Sequence, residues 1–200
     1  MSDTRPVLEI VLASTRPGRA GEPVARWIDG LAREHGGFDV DLVDLAEVGL
    51  PFVDEPEHPI FRRYMHQHTR DWSARVDAAD AFVFVTPEYN YGFCAPLKNA
   101  LDFLFHEWRY KPVGFVSYGQ VAAGTRGVQM LKQVLDGLRM SPIGPNVHIP
   151  FVQTLIDDGR LEANEIMARA AGDMLDELGR IEQALRPLRD EARRETVSLA

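Results

Sequence analysis

Three short stretches concentrate the residues able to do chemistry. The first, Ser14-Thr15-Arg16-Pro17-Gly18-Arg19-Ala20-Gly21-Glu22, brings hydroxyls, two guanidiniums and small residues together just where a helical run begins. Unpaired backbone N–H groups at a helix start, with the helix dipole behind them, suit an anion, most simply a phosphate. The dipole contributes about 0.3–1 kcal/mol per charge, so Ser14, Arg16 and the loop amides would supply the rest. Taken alone, the stretch is equally well read as a strand-to-helix turn with solvated arginines. It carries neither GxxxxGK nor GxGxxG, and a mononucleotide phosphate is the better fit. The second stretch, Thr86-Pro87-Glu88-Tyr89-Asn90-Tyr91-Gly92-Phe93, offers aromatic faces for a flat ring, with Asn90 and backbone amides for the edge of a heterocycle. The third, Ser117-Tyr118-Gly119 running through Ala122-Ala123-Gly124, is small enough to let backbone approach a ligand. One phosphate loop and two ring loops together describe a flavin mononucleotide site.

Each stretch follows a segment that reads as a buried strand. Val7–Ala13 is β-branched and apolar except for Glu9, Ala81–Val85 is fully apolar, and Pro112–Ser117 carries Val113, Phe115 and Val116. A further strand is expected over Phe38–Leu45 from its alternation, and a short one around Asn146–Ile149 between Pro145 and Pro150. Between them lie helical runs: one with Val24, Ile28 and Leu31 stopped by Gly36-Gly37, one ending near Ala79, then Pro96–Phe105 and Thr125–Arg139. The clearest helix repeats Ala163, Ile166, Ala170, Met174, Leu178, Ile181 and Leu185, with Pro187 expected to end or kink it and a charged, frayed tail from Arg189. Leu50–Pro59, with three prolines, reads as a loop. Alternating strands and helices predict a doubly wound α/β sandwich, one domain over residues 1–200 with its core about 7–186. Such sheets bind ligands beyond the carboxyl ends of their strands, which is where the three stretches fall.

Ser-Thr-Arg after the first strand, Pro-Glu-Tyr-Asn with Leu97-Lys98-Asn99-Ala100-Leu101-Asp102 downstream, and Val-Ser-Tyr-Gly at 116–119 resemble the NADPH-dependent FMN reductase family. The similarity runs over roughly Val7–Arg139. It implies a flavodoxin-like three-layer fold, with a five-stranded parallel sheet in the order 2-1-3-4-5 and helices on both faces. It also implies FMN as cofactor and NADPH or NADH as reductant. By this resemblance Ser14, Arg16 and the amides from Arg19 through Gly21 to Glu22 hold the FMN phosphate. Pro87, Glu88, Tyr89, Asn90 and Tyr91 face the isoalloxazine, and Ser117, Tyr118 and Gly119 complete its edge. No protein acid, base or nucleophile is required, because the flavin carries the chemistry. Flavin, quinone, azo and similar small molecules are the implied acceptors, and a homodimer or homotetramer the implied assembly. The aromatic run Phe103, Phe105, Trp108 and Tyr110 fits either a subunit contact or packing on the sheet. Two positions depart from the family pattern, Ala13 and Gln120, where glycine is usual or frequent; the second lies nearer the ring.

Composition bounds the alternatives. Of 200 residues, 22 are Lys or Arg and 30 Asp or Glu, giving a net charge of −8, which argues against coating a nucleic acid. One cysteine, Cys94, excludes an intramolecular disulfide framework and a CxxC metal or redox pair, and no Arg at the phosphatase spacing follows it. His66 and His68, two apart, would diverge on a helix, so no metal site is expected. There is no GxSxG elbow, no basic leader before an apolar segment and no apolar run long enough to span a bilayer. The expectation is a cytoplasmic, soluble oxidoreductase. A non-enzymatic FMN-binding electron carrier or redox-sensing module on the same fold is the alternative.

Overall fold

The structure, a computed structural model, describes residues 5–198. Six strand segments form one parallel sheet: β1 (Val7–Leu12), β2 (Asp39–Asp44), β3 (Ala81–Pro87), β4 (Pro112–Tyr118), β5 (Ser141–Pro142) and β6 (Val147–Ile149). The order is β2-β1-β3-β4-β5, with β6 also paired to β4. Alternation along the strands divides the core. Leu8, Ile10, Leu12, Val83 and Val85 face α1 (Gly21–His35) and the final helix, α6 (Glu165–Ser198). Val11, Ala13, Phe82, Phe84, Val113 and Phe115 face α3 (Gln67–Ala78), α4 (Ala95–Asp102) and α5 (Thr125–Gly137). With both faces covered, β1, β3 and β4 read as near-continuous apolar runs, as buried parallel strands do, while β2 at the sheet edge alternates. A single-turn α2 (Leu45–Val48), started by Asp44 accepting from Ala46 N–H, follows β2.

Four differences from the sequence reading have physical causes. The fifth strand position is split between β5 and β6, and Asn146 bridges the gap, its Oδ1 accepting from Phe115 N at 2.7 Å. A two-stranded hairpin, β7 (Ile156–Asp157) with β8 (Arg160–Leu161), adds to the expected elements and packs against α1. Pro187 does not end the last helix, which runs on to Ser198. Arg189 is only 3% exposed, paired with Glu182 at 2.6 Å and Asp80 at 3.0 Å, so tertiary ion pairs carry the helix past the missing amide and the tail is not frayed there. His66 precedes α3 instead of joining it, and its ring stacks on His68 at 5.2 Å. Of the aromatic run, Phe103 and Trp108 are core residues. Among the described residues, no helix is long and apolar enough to cross a membrane, and no group of three His, Cys, Asp or Glu is placed to hold a metal.

Candidate functional site

At the carboxyl ends of β1, β3 and β4 the three stretches close around one cavity of about 210 Å³. Ser14, Arg16, Gly18, Arg19 and Ala20 line one side, Pro87, Glu88 and Tyr89 a second, and Tyr118, Gly119 and Gln120 a third. Val152 and Gln153, which carried no signal in the sequence, form the remaining wall. They are placed by backbone bonds: Gly119 O accepts from Val152 N at 3.2 Å, and Gln120 O from Phe151 N at 3.3 Å. The volume is below the ~300–1,000 Å³ of pockets that enclose a whole ligand, so the cavity fits one end of a nucleotide.

The phosphate side is polar and partly uncommitted. Ala20 caps α1 without a side-chain bond, leaving the first amides of that helix open toward the loop. Ser14 is buried, and its hydroxyl meets Tyr89 Oη at 2.8 Å, joining the first stretch to the second. Arg16 is exposed and has no carboxylate partner among the described residues. Arg19 differs from expectation. Its guanidinium is committed to the Ser14 carbonyl and to Asp44, with Glu22 at 3.3 Å, so it shapes the loop more than it offers charge. Glu22 does not line the cavity. Neither does Gly21, although a Cβ there would stand 2.5 Å from Tyr118 Oη, so glycine is what lets α1 approach that ring.

On the ring side, Tyr89 and Gly92 exchange backbone hydrogen bonds of 2.9 and 3.0 Å, closing a tight turn whose central residues are left-handed, Asn90 at φ 50° and Tyr91 at φ 72°. Asparagine tolerates that conformation; a bulky tyrosine rarely adopts it. Tyr89 and Tyr91 are exposed, and Asn90 and Tyr91 sit beside the cavity, not in its wall. Glu88 is paired with Arg126 of α5.

Of the third stretch, Tyr118 and Gly119 line the cavity and Ser117 does not. Ser117 Oγ is buried 2.7 Å from both Ala123 O and His148 Nδ1, tying β4 to the loop and to β6. Burial, and then Lys132, push the His148 imidazole below its ordinary pKa. Gly124 must be glycine: at φ 81° it would place a Cβ 2.8 Å from Ser117 Cβ and 2.9 Å from Tyr118 N. Tyr118 Oη has no hydrogen-bond partner among the described residues. Burial, then Tyr89 and Cys94, raise its pKa, so it remains a neutral phenol. Cys94 Sγ reaches Ala13 O at 3.5 Å in the core, and burial raises its thiol as well. A thiol so placed is a small packing group and no nucleophile.

These residues fit a flavin mononucleotide. A buried, unpartnered phenol in the cavity wall, open amides at a helix start and an arginine without a carboxylate are donors that await an acceptor-rich group, and aromatic side chains flank them. The fold and this site define a flavodoxin-like α/β protein with a nucleotide cleft at its switch point. The profile of NADPH-dependent FMN reductases matches residues 7–154, well over half of the chain. An NAD(P)H-dependent FMN reductase of Schizosaccharomyces pombe is 39% identical over 76% of this chain and 79% of its own length. A probable NADPH:quinone oxidoreductase of Oryza sativa is 32% identical over 65% of this chain and 68% of its own. Among solved structures, the flavoenzyme NAD(P)H:(acceptor) oxidoreductase of Paracoccus denitrificans superposes with a TM-score of 0.71 at 18% identity, covering 90% of this chain and 98% of that one. The chain belongs to the NADPH-dependent FMN reductase family. It is an oxidoreductase whose cofactor is FMN and whose reductant is a nicotinamide dinucleotide.

Proposed function

We propose that the chain, as one FMN-binding domain, reduces a small flat acceptor such as a free flavin, a quinone or an azo compound at the expense of NAD(P)H. The observation that carries this reading is the cavity in which the Ser14–Ala20 loop, Pro87–Tyr89 and Tyr118–Gln120 meet, with exposed tyrosines at its rim. Bound FMN supplies the two-electron chemistry. Ser14, Arg16 and the amides from Arg19 through Gly21 to Glu22 hold its phosphate, with the Tyr118 hydroxyl as a further donor. Pro87, Glu88, Tyr89, Asn90 and Tyr91 orient the ring. Gly119 closes its edge, and Ser117 keeps that loop in place. Gln120, in the wall where the family often has glycine, narrows the acceptor's approach.

The reading extends to assembly and setting. The segment from Leu50 to Met65 holds Phe52, Phe61 and Met65 outward at 85%, 62% and 66% exposure. It is not loose: Asn99 donates to Pro51 O and accepts from Val53 N, and Glu55 accepts from Met65 N and His66 N. An ordered apolar surface supports a homodimer or homotetramer, which sedimentation would report. One buried cysteine without a disulfide partner is in keeping with a cytoplasmic setting. The test is the visible spectrum of the purified protein, followed by anaerobic NADPH. A flavin spectrum that bleaches, and recovers on adding a quinone, supports the reading. A flavin spectrum unmoved by NADPH or NADH favours the electron carrier instead, and a colourless protein that takes up no FMN overturns both.

A further inference from the structure

Arg126 lies outside the cavity wall, yet it touches the ring-side turn at two points. Its guanidinium is paired with the Glu88 carboxylate, and its backbone N–H donates to Glu88 Oε2 at 3.2 Å. The same guanidinium lies over the Tyr91 ring, 3.8 Å from the centroid. Glu88 is 7% exposed at its side chain and stands immediately before the turn, while Tyr91 is the residue held at φ 72°. The side chain at the second position of α5 therefore grips the turn from before and from within. Strain of this kind persists only where surrounding contacts over-determine the backbone. Nothing else described for the Tyr91 side chain would do so, since it is two-thirds exposed.

We propose that Arg126 is a positioning residue for flavin binding: it keeps the Tyr89–Gly92 turn in its left-handed form by engaging Glu88 as a cation and Tyr91 as a flat surface at once. The inference rests on the FMN reading above for its purpose, but not for its geometry. Only arginine serves both functions at once. A lysine would retain the charge facing Glu88 and lose the planar stack on Tyr91. It follows that the strain belongs to Tyr91 and the remedy to Arg126. In a Tyr91→Gly variant, Asn90 is followed by glycine, the most favoured pair for such a turn, and the clamp is no longer needed for its order.

The experiment measures amide hydrogen exchange at Tyr89 and Gly92 in the cofactor-free protein, and FMN affinity by fluorescence titration. Arg126→Ala is expected to speed exchange at those two amides by about tenfold or more while amides of β1 and β3 are unchanged. FMN affinity falls by about tenfold in the same variant, and Arg126→Lys recovers only part of it. Adding Tyr91→Gly to Arg126→Ala restores slow exchange without restoring full affinity. Unchanged exchange in Arg126→Ala overturns the clamp. So does fast exchange that Tyr91→Gly fails to correct, which also covers a variant that has merely loosened throughout. Because exchange is read without cofactor, a wild-type chain that bound no FMN would overturn the flavin reading and leave the clamp to be decided by its own measurement.

Discussion

At the carboxyl ends of the strands, and among the described residues, the Tyr118 hydroxyl is left without a partner, Arg16 has no carboxylate, and Asn90 and Tyr91 are held left-handed. At the amino ends buried charge is plentiful and most of it is matched. Arg189 joins Glu182 and Asp80, Arg193 reaches Asp77, and Lys111 Nζ donates to the last carbonyls of α3, Val76 O at 2.6 Å and Asp77 O at 3.2 Å. Glu107, fully buried, receives Tyr64 Oη at 2.9 Å, Ser73 Oγ at 2.6 Å and Arg62 Nε at 3.1 Å. Burial first, and then Glu107, push the Tyr64 phenol up. The difference teaches what each end is for. Polar groups that complete one another rigidify a scaffold, and groups left incomplete beside a cavity await a ligand.

Glu9 at the amino end departs from the pattern. Glu9, 1% exposed in β1, has an unpartnered Oε1 among the described residues. Burial raises its pKa to about 7, against the pull of Arg75. In the folded chain it therefore holds its proton between about 4.5 and about 7, where the unfolded chain has released it. The native state binds more protons in that window, so stability falls as pH rises through it. Lys111, with its pKa lowered by burial to about 7, acts in the opposite sense above neutrality.

The comparison can be broken from either end. The largest effect is expected for Arg189→Ala, which leaves Glu182 and Asp80 without their buried cation and costs about 3–5 kcal/mol in urea unfolding. FMN affinity of the folded protein should not change; if it did, the two ends would be coupled. Gly124→Ala, at the other end, costs about 1–3 kcal/mol by forcing a Cβ onto Ser117 and Tyr118, and it weakens FMN binding in parallel. Glu9→Gln sharpens the contrast in the opposite direction. It raises stability by about 1–2 kcal/mol at pH 8 and by little at pH 4.5, as melting curves across pH would register. Smallest is Ser14→Ala, expected to weaken FMN about tenfold while unfolding moves by less than about 1 kcal/mol, a loss of ligand contact without loss of scaffold.

What the sequence disclosed follows the same division. β1, β3 and β4, and the ends from which the loops leave, were legible because a doubly covered parallel strand has an apolar signature of its own, and β2 was legible from its alternation. The expected order 2-1-3-4-5 came from the resemblance, and the sheet has it. Residues whose role depends on distant partners were not legible. Arg126 is 38 residues from Glu88, and no local pattern joins them. Val152 and Gln153 line the cavity only because Gly119 and Gln120 bind the chain there. Pro187 does not end the helix for a similar reason: its local preference is real, but Arg189 and Arg193 are tied to residues more than a hundred positions earlier. The β7–β8 hairpin did leave a signal, Asp158-Gly159 between short strands, of the kind that turns a chain in two residues. Arg19 and Ser117 belong to the stretches that meet at the cavity, yet the guanidinium of one and the hydroxyl of the other are directed at the protein.

The placement of α6 also bears on how the chain is made. Met167, Ala171, Met174, Leu175 and Leu178 complete the layer that covers β1, β3 and β4, and Arg189 closes the charge on Asp80 at the start of β3. A nascent chain emerging from the ribosome can pair β1 with β2 and then with β3, and α1 can pack on one face, but the rest of that face stays uncovered until α6 has been synthesised. Until α6 has been made, part of an apolar sheet face is therefore exposed as a substrate for chaperones.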